Sequence, residues 1–253
     1  MSENVVITGG GDSVGRVIAA KCLARGDRVH ICDVREEPLQ RTLQANPGMR
    51  GTVADVGKAS DVATLFEQVR AWMHPVSVLV NVVGVAGPLA GIEDIKNEEW
   101  DDVIHVNVNS MFYCIKEVVP GMKEAGRGSI VNFSSGSTRT LPPMRTPYVA
   151  SKYAIEGLTR TLARELGPHN IRCNVILPGM INNARMQGMM ERTAEATGKS
   201  VEEIEAEHLN YISMRTKIEP DEIADMVLFL ASGAAPHVTG QLVGVCGNAE
   251  WEI

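Results

Sequence analysis

The amino-acid sequence predicts an α/β fold, in which a mainly parallel, doubly wound sheet is covered by helices on both faces. Short runs rich in β-branched residues recur along the chain, and several are apolar almost throughout, as strands buried on both faces must be. Segments with the helical spacing of apolar residues separate these runs, and such alternation is typical of a parallel sheet. No repeat, Pro-rich linker or low-complexity segment divides the 253 residues, so we predict one domain over residues 1–253.

The predicted strands are short, β-branched and bounded by turn residues. In chain order they are NVVIT (4–8), RVHIC (28–32), MRGTVADV (49–56), VSVLVNVVG (76–84), GSIVNFSS (128–135), IRCNVILPG (171–179) and LVGVC (242–246). The predicted helices show apolar residues three and four positions apart. They are VGRVIAAKCLARG (14–26), DVATLFEQVRAWM (61–73), WDDVIHVNVNSMFYCIKEVVPGM (100–122) and YVASKYAIEGLTRTLARELG (148–167).

Residues 182–217 interrupt this alternation, because they are polar, rich in Met and Glu, and carry no strand pattern. Ser200 and Glu203 have the Ser-x-x-Glu form of a capping box, in which two side chains satisfy backbone N–H groups at a helix start. We therefore predict a helical lid inserted over the sheet rather than a second domain.

Composition limits the function classes. A net charge of -7 without any basic run argues against binding to nucleic acid or to an anionic membrane surface. No apolar run approaches the ~18 residues of a membrane span, and the N-terminus lacks a secretory signal, so we expect a cytoplasmic protein. The five dispersed cysteines have no metal-ligand spacing, which predicts buried free thiols and no metal site.

The segment VVITGGGDSVGRVIAA has the order strand, glycine-rich turn and helix, the context in which a glycine motif binds a dinucleotide. Backbone N–H groups at a helix start favour phosphate oxygens, and Gly9 and Gly15 let the backbone and a ligand approach closely. The alternative is a tight strand–helix turn without a ligand.

Asp33 ends the second predicted strand, 18 positions after Gly15, close to the offset of about 20 expected for an acid that binds the adenosine ribose. Its carboxylate would accept hydrogen bonds from the ribose hydroxyls and would repel a 2′-phosphate. Asp12 adds negative charge nearby, so we predict NAD rather than NADP, a preference that Arg35 would soften. A solvated Asp at a strand end is the alternative.

Tyr148 and Lys152 are four positions apart, so they share one face of a helix. A free tyrosine has a pKa near ~10, and a neighbouring ammonium lowers it towards the working pH of a general acid or base. Ser135 ends a predicted strand at the active edge of the sheet, where its hydroxyl can hydrogen-bond the same substrate oxygen.

Together these motifs resemble the short-chain dehydrogenase/reductase family over essentially the full chain. The resemblance rests on TGGGDSVG (8–15), Asp33, ADV (54–56), NVVG (81–84), Asn107, Ser135, YVASK (148–152) and PGMINN (178–183). The offset of 13 residues between Ser135 and Tyr148 is one that the family commonly shows. The resemblance implies a seven-stranded Rossmann-type domain, a nicotinamide dinucleotide, and hydride transfer to or from a substrate carbon.

The resemblance also implies roles for individual residues. Tyr148 would be the acid/base, while Lys152 would lower its pKa and hold the nicotinamide ribose. Ser135 would orient the substrate oxygen, and Asn107 would support a water-linked proton relay to Lys152. With the glycine turn and Asp33, the implied cofactor site comprises Gly9, Asp12, Ser13, Val14, Gly15, Asp33, Val34, Asp55, Val56, Asn81, Gly84, Tyr148, Lys152, Pro178, Gly179, Ile181 and Asn183.

Three positions depart from the family pattern. Ser13 replaces a glycine of the phosphate turn, NVVG (81–84) replaces NNAG, and Asn183 replaces a threonine. A side chain at position 13 would crowd the pyrophosphate or hydrogen-bond it. These changes bear on cofactor affinity and not on the predicted proton-transfer residues.

The resemblance places residues 136–147 at the wall of the substrate pocket. Ser137, Arg139 and Arg145 lie in or beside this wall and Arg185 lies in the lid, and all four are candidates for substrate binding. An Arg can pair with a carboxylate, phosphate or sulfonate through two hydrogen bonds; a solvated or interface cation is the alternative.

Only 4% of the residues are aromatic, which favours a small polar secondary alcohol or ketone, such as a polyol, sugar, sugar acid or hydroxy acid. A 3-oxoacyl thioester reductase is one alternative, and a non-catalytic dinucleotide-binding regulator is another. The family resemblance, with Trp251 near the C-terminus as a contact residue, implies a homotetramer or dimer.

Overall fold

The computed structural model describes residues 2–249, apart from the side chain of residue 196, and the predicted contact of Trp251 lies outside the described residues. Seven strands form one sheet in the order β3-β2-β1-β4-β5-β6-β7, and every pairing is parallel. The predicted fold class is confirmed. The strands are β1 (Asn4–Thr8), β2 (Arg28–Asp33), β3 (Arg50–Val53), β4 (Val78–Asn81), β5 (Gly128–Phe133), β6 (Ile171–Pro178) and β7 (Leu242–Val245).

Helices cover both faces of the sheet. They are α1 (Ser13–Ala24), α2 (Glu36–Ala45), α3 (Ala59–Trp72), α4 (Asn97–Ile104), α5 (Ser110–Ala125), α6 (Ser137–Thr140), α7 (Thr146–Leu166), α8 (Ala184–Thr197), α9 (Val201–Asn210) and α10 (Pro220–Ala231). Two large apolar clusters form the core, one between the sheet and α3, α5 and α7, the other between the sheet and α1 and α10. The apolar spacing along the sequence did not predict α2 or α10.

Two strands end earlier than their apolar pattern predicts. After β3 the chain turns at Asp55, whose carboxylate accepts a hydrogen bond of 3.0 Å from the N–H of Gly57. After β4 the N–H of Val82 donates to the Thr8 hydroxyl (3.1 Å) instead of continuing the ladder. Both departures occur at the carboxyl edge of the sheet, where they form loops beside the glycine-rich turn.

The predicted helix 100–122 is interrupted by a π-helical turn at His105–Asn109, between α4 and α5. A π-turn inserts one residue into a helix and shifts the side chains that follow, and such turns are frequent at functional sites. Asn107 lies in this turn and is fully buried. The sequence pattern did not indicate the interruption.

The predicted lid region, residues 182–217, contains α8 and α9. Its predicted capping box is present: the Ser200 hydroxyl accepts from the N–H of Glu203 at 3.1 Å, and the Glu203 carboxylate accepts from the N–H of Ser200 at 2.8 Å. A small apolar cluster that includes Met180, Met190 and Ile204 packs the two helices against the last strand region. The lid is therefore an ordered helical layer.

Across residues 2–249, no helix has both the length and the apolar character needed to cross a bilayer. The same part of the chain contains no group of three or more His, Cys, Asp or Glu side chains placed to hold a metal ion. All five cysteines are buried and unpaired. Burial raises the pKa of the Cys22, Cys32 and Cys173 thiols to about 12, so these groups stay protonated.

We predict that two glycine-to-alanine changes have opposite effects on the stability of the protein. A Cβ at Gly15 would lie 2.1 Å from the Gly9 carbonyl oxygen, which belongs to backbone that cannot move aside. We expect Gly15→Ala to destabilise the protein by about 1–3 kcal/mol. Gly157, on α7, has open space around a Cβ, so Gly157→Ala should stabilise it by roughly 0.5–1 kcal/mol. Equal melting temperatures of the two variants would contradict this packing argument.

Candidate active site

The glycine-rich turn joins β1 to α1 at the carboxyl edge of the sheet. Gly9 has φ +66°, a left-handed conformation that glycine adopts without a steric penalty. Asp12 caps α1 by accepting a hydrogen bond of 2.7 Å from the N–H of Ser13, which itself has φ +46°. Gly15 contacts the backbone of Gly9 closely, so the helix start lies directly against the turn.

Asp33 lies beside this turn at the end of β2. Its Oδ2 accepts from the N–H of Gly11 at 3.3 Å, and its Oδ1 accepts from the N–H of Arg35 at 3.0 Å. The Arg35 guanidinium lies 3.4 Å from each of the Asp33 and Asp12 carboxylates. A carboxylate therefore lies beside the glycine-rich turn at the end of β2, and the Arg35 guanidinium lies close to it.

The other predicted cofactor residues of this edge differ in exposure. Val34 is 62% exposed at the end of β2, whereas Val56 is buried. The Asp55 carboxylate lies 3.5 Å from the Lys58 ammonium. Asn81 is buried, and its side chain donates to the Asn132 amide oxygen at 2.9 Å within the sheet. The side-chain amide nitrogen of Asn81 is therefore hydrogen-bonded inside the sheet.

The three predicted proton-transfer residues come together where β5 meets α7. Tyr148 and Lys152 lie one turn apart on α7, with the ammonium 5.5 Å from the centre of the phenol ring. The buried Lys152 Nζ donates to the Phe133 carbonyl oxygen at 3.0 Å. Ser135 follows β5, and its Oγ donates to the Ser137 hydroxyl and accepts from the Ser137 N–H, both at 3.1 Å.

Electrostatics shift the pKa values of both groups on α7. Burial alone would raise the pKa of Tyr148, but Lys152, the Ser135 hydroxyl, Arg185 and Arg145 together bring it below its ordinary value. Burial also lowers the pKa of Lys152, and an ionised Tyr148 opposes that effect. A phenol with a lowered pKa is available as a proton acceptor at a lower pH than a free tyrosine.

Asn107 links the loop after β4 to α7. Its Oδ1 accepts from the N–H of Val85 at 2.7 Å, and its Nδ2 donates to the Val85 carbonyl at 3.0 Å and to the Ser151 hydroxyl at 2.9 Å. The Ser151 hydroxyl in turn donates to the Tyr148 carbonyl at 2.7 Å. A Cβ on Gly84 would lie 3.2 Å from Lys152 Nζ, so this loop passes close to the ammonium.

The four candidate substrate residues lie in different surroundings. The Arg145 guanidinium stacks 4.8 Å from the centre of the Tyr148 ring, and exposed Arg185 donates to the Gly84 carbonyl at 3.1 Å. Ser137 contacts Ser135 as described. Arg139 is exposed on α6, and none of its described contacts is with a predicted proton-transfer side chain.

Sequence comparison places this arrangement in a known family. A family model described as enoyl-(acyl carrier protein) reductase matches residues 9–247. The (3R)-3-hydroxyacyl-CoA dehydrogenase of Rattus norvegicus is 34% identical over 260 residues, which cover 98% of this chain and 96% of that protein. The chain belongs to the short-chain dehydrogenase/reductase family. The predicted resemblance is confirmed.

Solved structures of short-chain dehydrogenases share this fold. An actinorhodin polyketide ketoreductase with NADPH superposes with a TM-score of 0.92 at 30% identity, covering 97% of this chain and 96% of that one. An NAD+-bound xylitol dehydrogenase superposes with a TM-score of 0.90 at 26% identity, covering 97% and 98%. The first structure holds NADPH and the second NAD+, so the family relationship implies a nicotinamide dinucleotide without specifying which one.

Two of the departures from the family pattern contact each other in this short-chain dehydrogenase. Asn183 caps α8 by accepting from the N–H of Met186 at 2.9 Å, and its Nδ2 donates to the Ser13 hydroxyl at 2.9 Å. The glycine-rich turn is thereby joined to the residue that caps α8. Of the neighbouring predicted cofactor residues, Gly179 packs against the backbone of Cys246.

Sequence reasoning missed two residues that hold the site together. Ser151 bridges Asn107 and the backbone of Tyr148 as described above. Glu156 is buried and accepts hydrogen bonds from the hydroxyls of Ser134 (2.8 Å) and Thr138 (2.7 Å), which anchors both sides of Ser135 to α7. Glu156 lies one turn after Lys152, so helical spacing from the YVASK motif is the signal that would have found it.

Proposed function

We propose that this short-chain dehydrogenase is an NAD(H)-dependent oxidoreductase of small polar secondary alcohols and ketones. The observation that carries the proposal is the buried Lys152 ammonium, held by the Phe133 carbonyl 5.5 Å from the centre of the Tyr148 ring. Such a cation favours the phenolate form of Tyr148. Ser135 beside the phenol supplies a hydroxyl that can hydrogen-bond the same substrate oxygen.

The carboxyl edge of the sheet fits a dinucleotide. Gly9 has a left-handed φ of +66°, a Cβ at Gly15 would collide with the Gly9 carbonyl oxygen, and Asp33 ends the adjacent strand beside this turn. Gly84 lets the backbone approach Lys152, which by family resemblance also holds the nicotinamide ribose. The bound nicotinamide supplies the hydride acceptor in oxidation and the hydride donor in reduction.

The protein's own groups manage the proton and the substrate oxygen. In oxidation, the ionised Tyr148 oxygen would accept the proton of the substrate hydroxyl, while the carbon that bears this hydroxyl gives up the hydride and becomes a carbonyl carbon. In reduction, the neutral phenol returns the proton to the oxygen. Ser135 hydrogen-bonds that oxygen throughout, and the Lys152 ammonium compensates the charge of the phenolate.

The choice of NAD rests on Asp33. Its carboxylate is buried at the end of β2, where an NADP 2′-phosphate would meet negative charge. We expect Asp33→Ala to narrow the preference for NAD over NADP, measured as the ratio of kcat/KM for the two cofactors, by roughly 10- to 100-fold. Arg35, released from its carboxylate partner, should contribute to NADP binding. An unchanged ratio would remove Asp33 from the cofactor site.

A matched variant, Asp55→Ala, distinguishes the effect of Asp33 on the cofactor preference from the effect of any carboxylate near the turn. Asp55 lies after β3, where its carboxylate is held by Gly57 and Lys58. Family resemblance places it at the adenine, which both cofactors share. Asp55→Ala should therefore weaken the binding of both cofactors alike and leave the ratio unchanged.

The substrate class is the second part of the proposal. The xylitol dehydrogenase similarity and the low aromatic content favour a small polar substrate. The hydroxyacyl-CoA dehydrogenase similarity keeps a 3-oxoacyl thioester reductase as the second candidate. NADH formation over a panel of polyols, sugars, hydroxy acids and a 3-hydroxyacyl thioester decides between them. Turnover of the thioester alone would replace the first candidate by the second.

We also propose that the protein acts as a homotetramer or dimer in the cytoplasm. Phe112 on α5 and Tyr153 on α7 are 50% and 47% exposed, and large apolar side chains of this kind favour subunit contacts. The five unpaired cysteines agree with a reducing compartment.

A further inference from the structure

Arg145 is an unusual arginine, because it is half-buried beside the predicted acid/base. It immediately precedes α7, its guanidinium stacks on the Tyr148 ring, and its Nε is buried without a hydrogen-bond partner among the described residues. No carboxylate within residues 2–249 forms an ion pair with it. A buried donor and a desolvated cation are both costly when they lack a partner.

Arg185 brings a second guanidinium to the same site from the lid. Its Nη1 donates to the Gly84 carbonyl at 3.1 Å, and a Cβ on Gly84 would lie 3.2 Å from Lys152 Nζ. Arg145 therefore approaches from the loop before α7 and Arg185 from the start of α8. The lid helix and the pocket wall each contribute one cation.

The charges around the phenol do not balance. Burial and the nearby Arg185 lower the pKa of Arg145, while Tyr148 opposes them. Burial and Arg185 likewise lower the pKa of Lys152. An ionised Tyr148 supplies one negative charge against three cationic side chains. A bound anion would relieve this repulsion and would give the buried Nε of Arg145 an acceptor.

We propose that Arg145 and Arg185 bind an oxyanion of the substrate, so that the substrate is a small hydroxy or oxo acid bearing a carboxylate, sulfonate or phosphate. This inference rests on the proposed function and narrows its substrate class. Because Arg145 stacks on the ring whose hydroxyl exchanges the proton, the anionic group lies only a few bonds from the reacting carbon. The phosphates of a coenzyme A thioester are too many bonds from its carbonyl to meet this condition.

The first test compares matched alcohols that differ in one anionic group. The pairs are 3-hydroxybutyrate with butane-1,3-diol, 2-hydroxypropane-1-sulfonate with propane-1,2-diol, and glycerol 3-phosphate with glycerol. We expect kcat/KM to favour the anionic member of at least one pair, and the pair with the largest ratio identifies the oxyanion. A preference for the neutral member in every pair would overturn the inference and leave the proposed function intact.

The second test replaces the arginines. Arg145→Gln should raise KM for the preferred acid by roughly 10- to 100-fold, while KM for its neutral partner stays unchanged. Both KM values are measured at a pH at which activity no longer depends on pH. Arg145→Lys should recover part of the loss, because it keeps the charge without the planar fork. Arg160→Gln, an exposed arginine further along α7, is the control and should match the wild type. Equal KM increases for the acid and the neutral alcohol would overturn the role of Arg145.

The third test uses binding and is independent of turnover. The NADH complex is titrated with the same carboxylates, sulfonates and phosphates while NADH fluorescence is followed. Saturable binding that Arg145→Gln abolishes would support the anion site, whether or not any alcohol is oxidised. If no alcohol is oxidised, only the proposed function would be contradicted. No binding by any anion would overturn the inference. An Arg185→Gln variant that weakens NADH binding but not anion binding would assign Arg185 to the cofactor and contradict its part in the site.

Discussion

Replacing Tyr148 with Phe is expected to lower kcat/KM for alcohol oxidation by roughly 10²- to 10⁴-fold, the contribution of a positioned general acid or base. The change removes only the hydroxyl and keeps the ring, so the stacking of Arg145 and the packing of α7 remain. Affinity for NADH, followed by fluorescence, should therefore change little. Steady-state oxidation of the best substrate measures the loss.

Tyr113→Phe is the matched control, because Tyr113 lies on α5, where its ring contacts His105 and Phe112 and packs against the apolar core. It should keep full activity. Retained turnover in Tyr148→Phe would assign the proton transfer to another group. If the wild type binds NADH but turns over no substrate, the non-catalytic regulator becomes the better account.

Replacing Lys152 with Met is expected to move the pH dependence of oxidation. In the wild type the Lys152 ammonium helps to lower the pKa of Tyr148, so the phenolate base forms at a lower pH than in a free tyrosine. Without that cation the pKa of Tyr148 rises, and the rise of kcat/KM with pH should shift to more alkaline pH. Near neutral pH, activity falls because less Tyr148 is ionised.

The cofactor and the fold provide the control readouts for Lys152→Met. By family resemblance Lys152 holds the nicotinamide ribose, so KM for NAD should rise as well. The melting temperature should not fall strongly, since the change replaces a buried ammonium by an apolar side chain of similar length. A pH profile that stays in place while activity falls would limit Lys152 to cofactor binding.

Local patterns were sufficient for much of the fold. The strand from Asn4, the glycine turn and α1 follow one another without a gap, and each is determined by neighbours within a few positions. The continuous apolar runs predicted strands buried on both faces, and these are the parallel strands of the sheet. Strand ends were predicted less well, because side chains such as Thr8 and Asp55 compete for backbone N–H groups there.

The sequence also predicted the proton-transfer residues from simple patterns of spacing and strand position. Tyr148 and Lys152 lie on one turn of helix, so their proximity follows from spacing alone. The proximity of Ser135 followed from the rule that parallel strands end at a common edge. The structure brings these three together, while their catalytic roles stay predictions until the variants are measured.

The sequence by itself determined the succession of the seven strands along the chain, the glycine turn and the Tyr–Lys pair, because those features depend on short-range spacing. Only the tertiary structure decided which distant groups meet. It joined Ser13 to Asn183 across 170 positions and turned Asn107 inward through a π-turn. It also separated Arg145, which stacks on the phenol, from Arg139, which is exposed on α6. These outcomes depend on how whole elements pack, since hydrogen bonds and desolvation between remote segments have no signature in local periodicity.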